Sequence, residues 1–317
     1  MNYIIFDLEW NQSPTGKEGE LESLPFEIIE IGALKLDADM NIISSFCETI
    51  RPQVYPEIHY KIKEITHFEA EELNNSRTFI EVFRDFTDWC GNDFMLCTWG
   101  SMDVSELQRN MKFYNFPLFK APVFFYDIQK IFSIVYEDRK TKRSLEWAID
   151  YLQIEKNNDF HRALSDAYYT YAVMKLFNPM DIIKNYSIDY FQKPKNRSEE
   201  IYVIYDTYSK LVSREFDNKT DVLKDNRLNS TVCYKCGRKV RRKIRWFSDN
   251  SKTYYCLARC DEHGWLKGKI KLKKSDNDKV FAVKILSLTD DEGADTIRQK
   301  QNAIRKKRRE KRQKLAD

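Results

Sequence analysis

Nothing in this 317-residue chain approaches the ~20 consecutive apolar residues that a membrane-spanning helix needs. At the N-terminus, Met1-Asn2-Tyr3 places no basic segment ahead of the first apolar run, and that run soon meets Asp7, so no secretory signal is expected. No stretch repeats itself with a period of about 20–50 residues, which sets solenoids and propellers aside. These absences predict a soluble, cytoplasmic chain with no membrane partner. What is present is a hydrophobic content of 42%, enough for a real core, in a length that suits one full-sized domain and a smaller one.

The net charge of +4 hides an uneven distribution. Residues 1–178 carry 18 basic and 29 acidic side chains, a net of −11; residues 179–317 carry 35 and 20, a net of +15. The second part suits a polyanion, whereas the first repels one unless cations mediate the contact. Of seven cysteines, Cys47, Cys90 and Cys97 lie in apolar contexts and read as core residues. Cys233, Cys236, Cys256 and Cys260 crowd together later, which in a reducing compartment favours a metal over disulfides.

Tyr3–Trp10 is a short apolar run that reads as a buried strand, followed by strands at Phe26–Leu36 and Ile42–Ile50 that make an antiparallel meander. Helical spacing over 77–90, 104–114, 128–135, 145–152 and 163–177 alternates with strands at 94–99 and 124–126, an α/β pattern. Residues 1–179 are expected to form this domain, with 180–230 a linker or helical extension. Short strands over 231–288 form a second, smaller domain. A capping pattern at Thr289-Asp290-Asp291-Glu292 opens a basic helical tail over 289–317.

Two carboxylates interrupt the first strand. Side chains alternate along a strand, so Asp7 and Glu9 share a face, and burying two like charges there is costly unless a cation sits between them. Taken alone, this is read either as a strand fraying into solvent or as a metal site. Further on, Asp103 follows the Thr98-Trp99-Gly100 segment, and His161-Arg162-Ala163-Leu164-Ser165-Asp166 sets a histidine just before a helix with a carboxylate in its first turns.

With these three segments the chain resembles the DEDDh-type 3′→5′ exonucleases of the RNase H-like fold, over about its first 170 residues. The D-x-E of Asp7 and Glu9, the Asp at 103 and the H-x(4)-D of His161 and Asp166 fall in the family's order. The words Phe-Asp-Leu-Glu-Trp, Thr-Trp-Gly-x-x-Asp and His-Arg-Ala-Leu-x-Asp-Ala, with Ile65-Thr66, are similar to the Eri-like branch. The resemblance implies a mixed five-stranded sheet flanked by helices and hydrolysis of single-stranded 3′ ends of RNA or DNA, with RNA favoured. It implies two Mg²⁺ or Mn²⁺ ions, hard cations that take carboxylate oxygens. Asp7 would bridge them, Glu9 and Asp166 would hold the one carrying the attacking water, Asp103 would support the other, and His161 would be the general base.

Cys233-Tyr234-Lys235-Cys236-Gly237 and Cys260-Asp261-Glu262-His263-Gly264 share the form C-x-x-(C/H)-G. In a zinc knuckle the turn needs a residue of positive φ just after the ligand pair, which glycine supplies. The expected ligands of one structural Zn²⁺ are therefore Cys233, Cys236, Cys260 and His263, with Cys256 in place of His263 as the rival set. Trp246, Phe247, Tyr254, Tyr255 and Trp265, interleaved with basic residues, suggest stacking on bases, and the basic tail suggests phosphate binding. The two knuckles, separated by strand-like sequence, read 231–288 as a zinc ribbon, and the alternative to the enzyme is a non-catalytic nucleic-acid-binding adaptor that uses this ribbon and the basic tail.

Overall fold

The computed structural model describes residues 1–157, 160–275 and 278–313, in two compact units, Met1–Gln192 and Lys193–Asp317. In the first unit β1 (Asn2–Asn11), β2 (Glu27–Leu36) and β3 (Ile42–Thr49) form the expected meander. Helices α1 (Tyr60–Thr66), α2 (Ala70–Asn74) and α3 (Phe79–Cys90) lead to β4 (Phe94–Thr98) and α4 (Met102–Phe113). β5 (Phe124–Asp127), α5 (Ile128–Tyr136), α6 (Leu145–Tyr151), α7 (Ala163–Met174), α8 (Pro179–Lys184) and β6 (Ser187–Ile188) complete the unit. The sheet order is β3-β2-β1-β4-β5-β6, with β1–β4 and β4–β5 parallel and the other pairs antiparallel.

Alternation along β1 divides the core. Tyr3 and Ile5 pack on one face with residues of α5, α6 and α7, whereas Ile4, Phe6 and Leu8 pack on the other with α3 and α4. Asp7 and Glu9 continue the first of these rows, so the sheet delivers both carboxylates to the α7 side. α7 comes unusually close there. A Cβ added to Gly32 of β2 would lie 2.0 Å from the Leu164 nitrogen and 2.1 Å from the Ala163 carbonyl carbon, both backbone atoms. Gly32 is the register partner of Asp7 and Glu30 that of Glu9, so the approach occurs beside the acidic pair.

Three boundaries differ from the sequence reading. The two-residue β6 adds a sixth strand to the expected five, and the first unit runs on to 192 instead of 179. Asp189 ties the extension down by accepting hydrogen bonds from Ser105 Oγ (2.6 Å), Gln108 Nε2 (2.8 Å) and the Phe191 N–H. Residues 180–230 are not a linker. Beyond 192 they supply β7 (Ile201–Ile204), β8 (Tyr208–Val212), α9 (Lys219–Lys224) and α10 (Asn226–Asn229) to the second unit. With β9 (Arg242–Ser248), β10 (Thr253–Cys260), β11 (Gly264–Lys274) and β12 (Val280–Thr289) they make an antiparallel sheet, β7-β8-β12-β11-β10-β9, closed by α11 (Asp291–Gln313). The aliphatic side chains of β7 and β8 are spaced for a strand, but their short, Lys- and Ser-interrupted runs hide it. Among the described residues no helix is long and apolar enough to cross a membrane.

Gly32→Ala forces the backbone of α7 away from β2. It is expected to lower unfolding stability by about 1–3 kcal/mol, the usual cost of overpacking, read from the urea midpoint; an unchanged midpoint would mean that the close approach is not required.

Candidate active site and metal centre

The acidic site is assembled from β1, the N-terminus of α4 and the chain entering α7. Ligand atoms of Glu9, His161 and Asp166 lie within 4.8 Å of one another. Asp7 is half-buried, and its carboxyl is held well above the usual range by burial and then by the charges of Asp103, Glu9, Asp166 and Glu30. Burial likewise moves Glu9 up to about 8, with Asp166 and Glu30 adding to it. Asp103, near the start of α4, rises to about 7, again through burial, although backbone N–H groups of its own residue and of Leu8 oppose the shift. Asp166 rises to about 6 for the same first reason. The structure thus groups Glu9, His161 and Asp166, and Asp7 lies near enough to Asp103, Glu9 and Asp166 for their charges to raise its carboxyl.

His161 has a left-handed backbone, with φ of 66°, which is uncommon outside glycine. Its backbone N–H donates to Asp166 Oδ2 at 3.2 Å. The other oxygen, Asp166 Oδ1, is buried and accepts no hydrogen bond. An orphaned buried carboxylate oxygen among several crowded carboxylates suits a hard divalent cation, and nothing in the donor set is soft. The raised carboxyls give the folded cluster more protons than the unfolded chain holds. Without cations its stabilising contribution is full below about pH 4 and is lost as pH rises through about 8.

Two residues essential to the geometry escaped the sequence reading. Glu30, fully buried on β2, accepts from the Ala163 N–H at 2.7 Å and from Arg162 Nη2 at 2.8 Å and Nε at 3.2 Å. It holds the first turn of α7, and Arg162 lies 4.6 Å over the Phe68 ring. Gly32 supplies the space for the same contact. The signal was present: a charged residue inside an apolar strand, the feature that singled out Asp7 and Glu9. Cys47, expected in the core, is exposed, with Sγ 3.9 Å from Glu30 Oε1, whereas Cys90 and Cys97 are buried as expected.

In the second unit Cys233, Cys236, Cys260 and His263 bring their ligand atoms within 4.8 Å of one another. Cys236 and Cys260 Sγ are 3.7 Å apart, as are Cys260 Sγ and His263 Nδ1, and hydrogen bonding to His263 draws the Cys260 thiol down to about 6. Gly237 and Gly264 have φ of 72° and 78°, the conformation the knuckle reading required. Cys256 is buried in the sheet with its thiol pushed up to about 12, and it stands outside the group. Three thiols and an imidazole form a soft donor set that fits zinc.

A family model described as Exonuclease (RNase_T) matches residues 4–174, more than half of the chain. No curated protein matches in sequence. Among solved structures the chain is similar to the nuclease domain of 3'hExo, a DEDDh family member bound to rAMP (20% identity, 59% of this chain and 96% of that chain, TM-score 0.49). Others are S. pombe Pop2p in its Mg²⁺ and Mn²⁺ bound form (16%, 54% and 81%, TM-score 0.41) and E. coli exonuclease I in complex with an oligonucleotide (13%, 81% and 55%, TM-score 0.45).

Proposed function

We propose, from the premise that this chain belongs to the exonuclease family, that it removes nucleotides from the 3′ end of single-stranded nucleic acid, RNA ahead of DNA. The observation that carries the reading is the grouping of Glu9, His161 and Asp166, with the charges of Asp103, Glu9 and Asp166 acting on Asp7 and a buried Asp166 oxygen that lacks a partner. Asp7, Glu9, Asp103 and Asp166 would hold two Mg²⁺ or Mn²⁺ ions. Bound there, the ions supply charge stabilisation to the attacking and leaving oxygens of a phosphodiester. The chain's own part is to present His161 beside Glu9 and Asp166, where its imidazole accepts the proton of the attacking water. The left-handed backbone at 161 sets that ring ahead of α7 and outside it. The preference for RNA rests on the likeness of the motif words to the Eri-like branch.

The same reading assigns one structural Zn²⁺ to Cys233, Cys236, Cys260 and His263. With four protein donors the ion has no open position, so its role is to fasten the segment ahead of β9 to the β10–β11 turn.

A 3′-labelled single strand incubated with Mg²⁺ is expected to release labelled mononucleotide. His161→Ala should slow release by about 10²–10⁴-fold, Asp7→Asn should silence it, and a matched DNA strand should be cut more slowly than RNA. A wild type indistinguishable from Asp7→Asn with either ion would refute the enzyme and leave the adaptor. For the zinc, atomic emission of the purified chain should find one ion per molecule, and Cys233→Ser should lose it and lower the melting temperature. A zinc-free chain of unchanged melting temperature would contradict the assignment.

A further inference from the structure

The six strands of the second sheet contain eleven lysines and arginines and no aspartate or glutamate. Their placement is ordered. Along β11, Gly268, Ile270 and Leu272 are buried, whereas Lys267, Lys269 and Lys271 point to the other face, with Lys269 and Lys271 exposed. Alternate residues of a strand stand about 6.7 Å apart. The register sets Lys269 between Tyr255 and Ile285, Lys271 between Thr253 and Val283, and Lys267 between Leu257 and Ser287. No strand neighbour of the column is acidic.

The opposite face is closed by α9, α10 and an apolar cluster around Tyr254, Ile270 and Leu272. The lysine face is covered only in part. α11 seats Ala294 and Ile297 against Leu257, Ile244 and Phe247, leaving Lys269 and Lys271 uncovered. The same packing removes the aromatic residues from play. Trp265 lies between Arg259 (5.1 Å) and Arg298 (4.7 Å) and donates its Nε1–H to Asp291, and Lys300 lies 4.6 Å over Tyr255. Tyr254 is buried. Of the rings expected to stack on bases, Tyr254 is thus buried, and Tyr255 and Trp265 already pair with cations.

We propose that the Lys267–Lys269–Lys271 column tracks the sugar–phosphate backbone of a single-stranded nucleic acid without reading its bases. A row of cations with no acidic strand neighbour complements a row of phosphates, and phosphate contacts position a strand without carrying sequence information. The proposal rests on the nucleic-acid reading of the first unit, but its test does not depend on catalysis.

The full-length, zinc-loaded chain is titrated with a fluorescein-labelled 30-nucleotide oligouridylate, divalent cations omitted, over a salt series. Replacing all three lysines by glutamine should make log K against log salt shallower by about 0.7 for each phosphate no longer neutralised, close to two in all. A mixed-sequence oligomer should show the same change, and the triple arginine variant should retain wild-type slope. The single Lys271→Gln, at an exposed position, should reduce the slope by about 0.7 and carries the test should the triple variant unfold. An unchanged slope in a folded variant overturns the proposal, as does loss of binding to phosphatidylserine vesicles with oligomer binding intact. Hydrolysis of a dinucleotide with Mg²⁺ is measured beside it and should be the same in all variants. A wild type that cuts the dinucleotide while the glutamine slope is unchanged refutes the column alone, and a wild type that cuts nothing refutes the exonuclease alone.

Discussion

The docking of α7 on β2 is the contact on which the acidic site depends. One buried carboxylate, Glu30, receives the first N–H of that helix and the guanidinium of Arg162, and one missing side chain, at Gly32, lets the two backbones meet. The register of β1 on β2 places these two residues opposite Glu9 and Asp7. Thus the contact that seats the helix also brings His161 and Asp166 to the carboxylates of the first strand. Glu30 has Arg162 as its counter-charge within the protein. The carboxyls of Asp7, Glu9, Asp103 and Asp166 instead rise, because burial and then the charges of nearby carboxylates disfavour their ionised forms.

The second unit solves a different problem. Its sheet has one closed face and one partly open face, and its two knuckle turns converge on four soft donors. Hard oxygens in one unit and sulfur with imidazole in the other suit different cations, as the proposed function requires. The charge of the chain follows the same division, net −11 over residues 1–178 and net +15 over residues 179–317.

The motif residues and the strands carrying them were legible in the sequence because period-2 alternation and a carboxylate inside an apolar strand are local signals. The grouping of Cys233, Cys236, Cys260 and His263 was legible for a similar reason: Gly237 and Gly264 announce the positive φ that follows each pair. Glu30 carried the same local signal, but its role, like that of Gly32, exists only when α7, about 130 residues later, lies against it. β7 and β8 were missed since both are short and β8 finds its second partner, β12, only some seventy residues on. The contacts that α11 makes with Tyr255 and Trp265 were not legible, because the helix was read as a tail and returns to the sheet.

In the proposed mechanism, divalent cations replace protons on carboxyls that folding has crowded together. Mn²⁺ titration calorimetry near pH 7, in two buffers of different ionisation enthalpy, counts those protons directly. With Glu9 at about 8 and Asp103 at about 7, Mn²⁺ should displace about one proton or more per chain, and its affinity should climb as pH rises from about 6 to about 8. Binding that releases no proton and keeps one affinity over that range would contradict it.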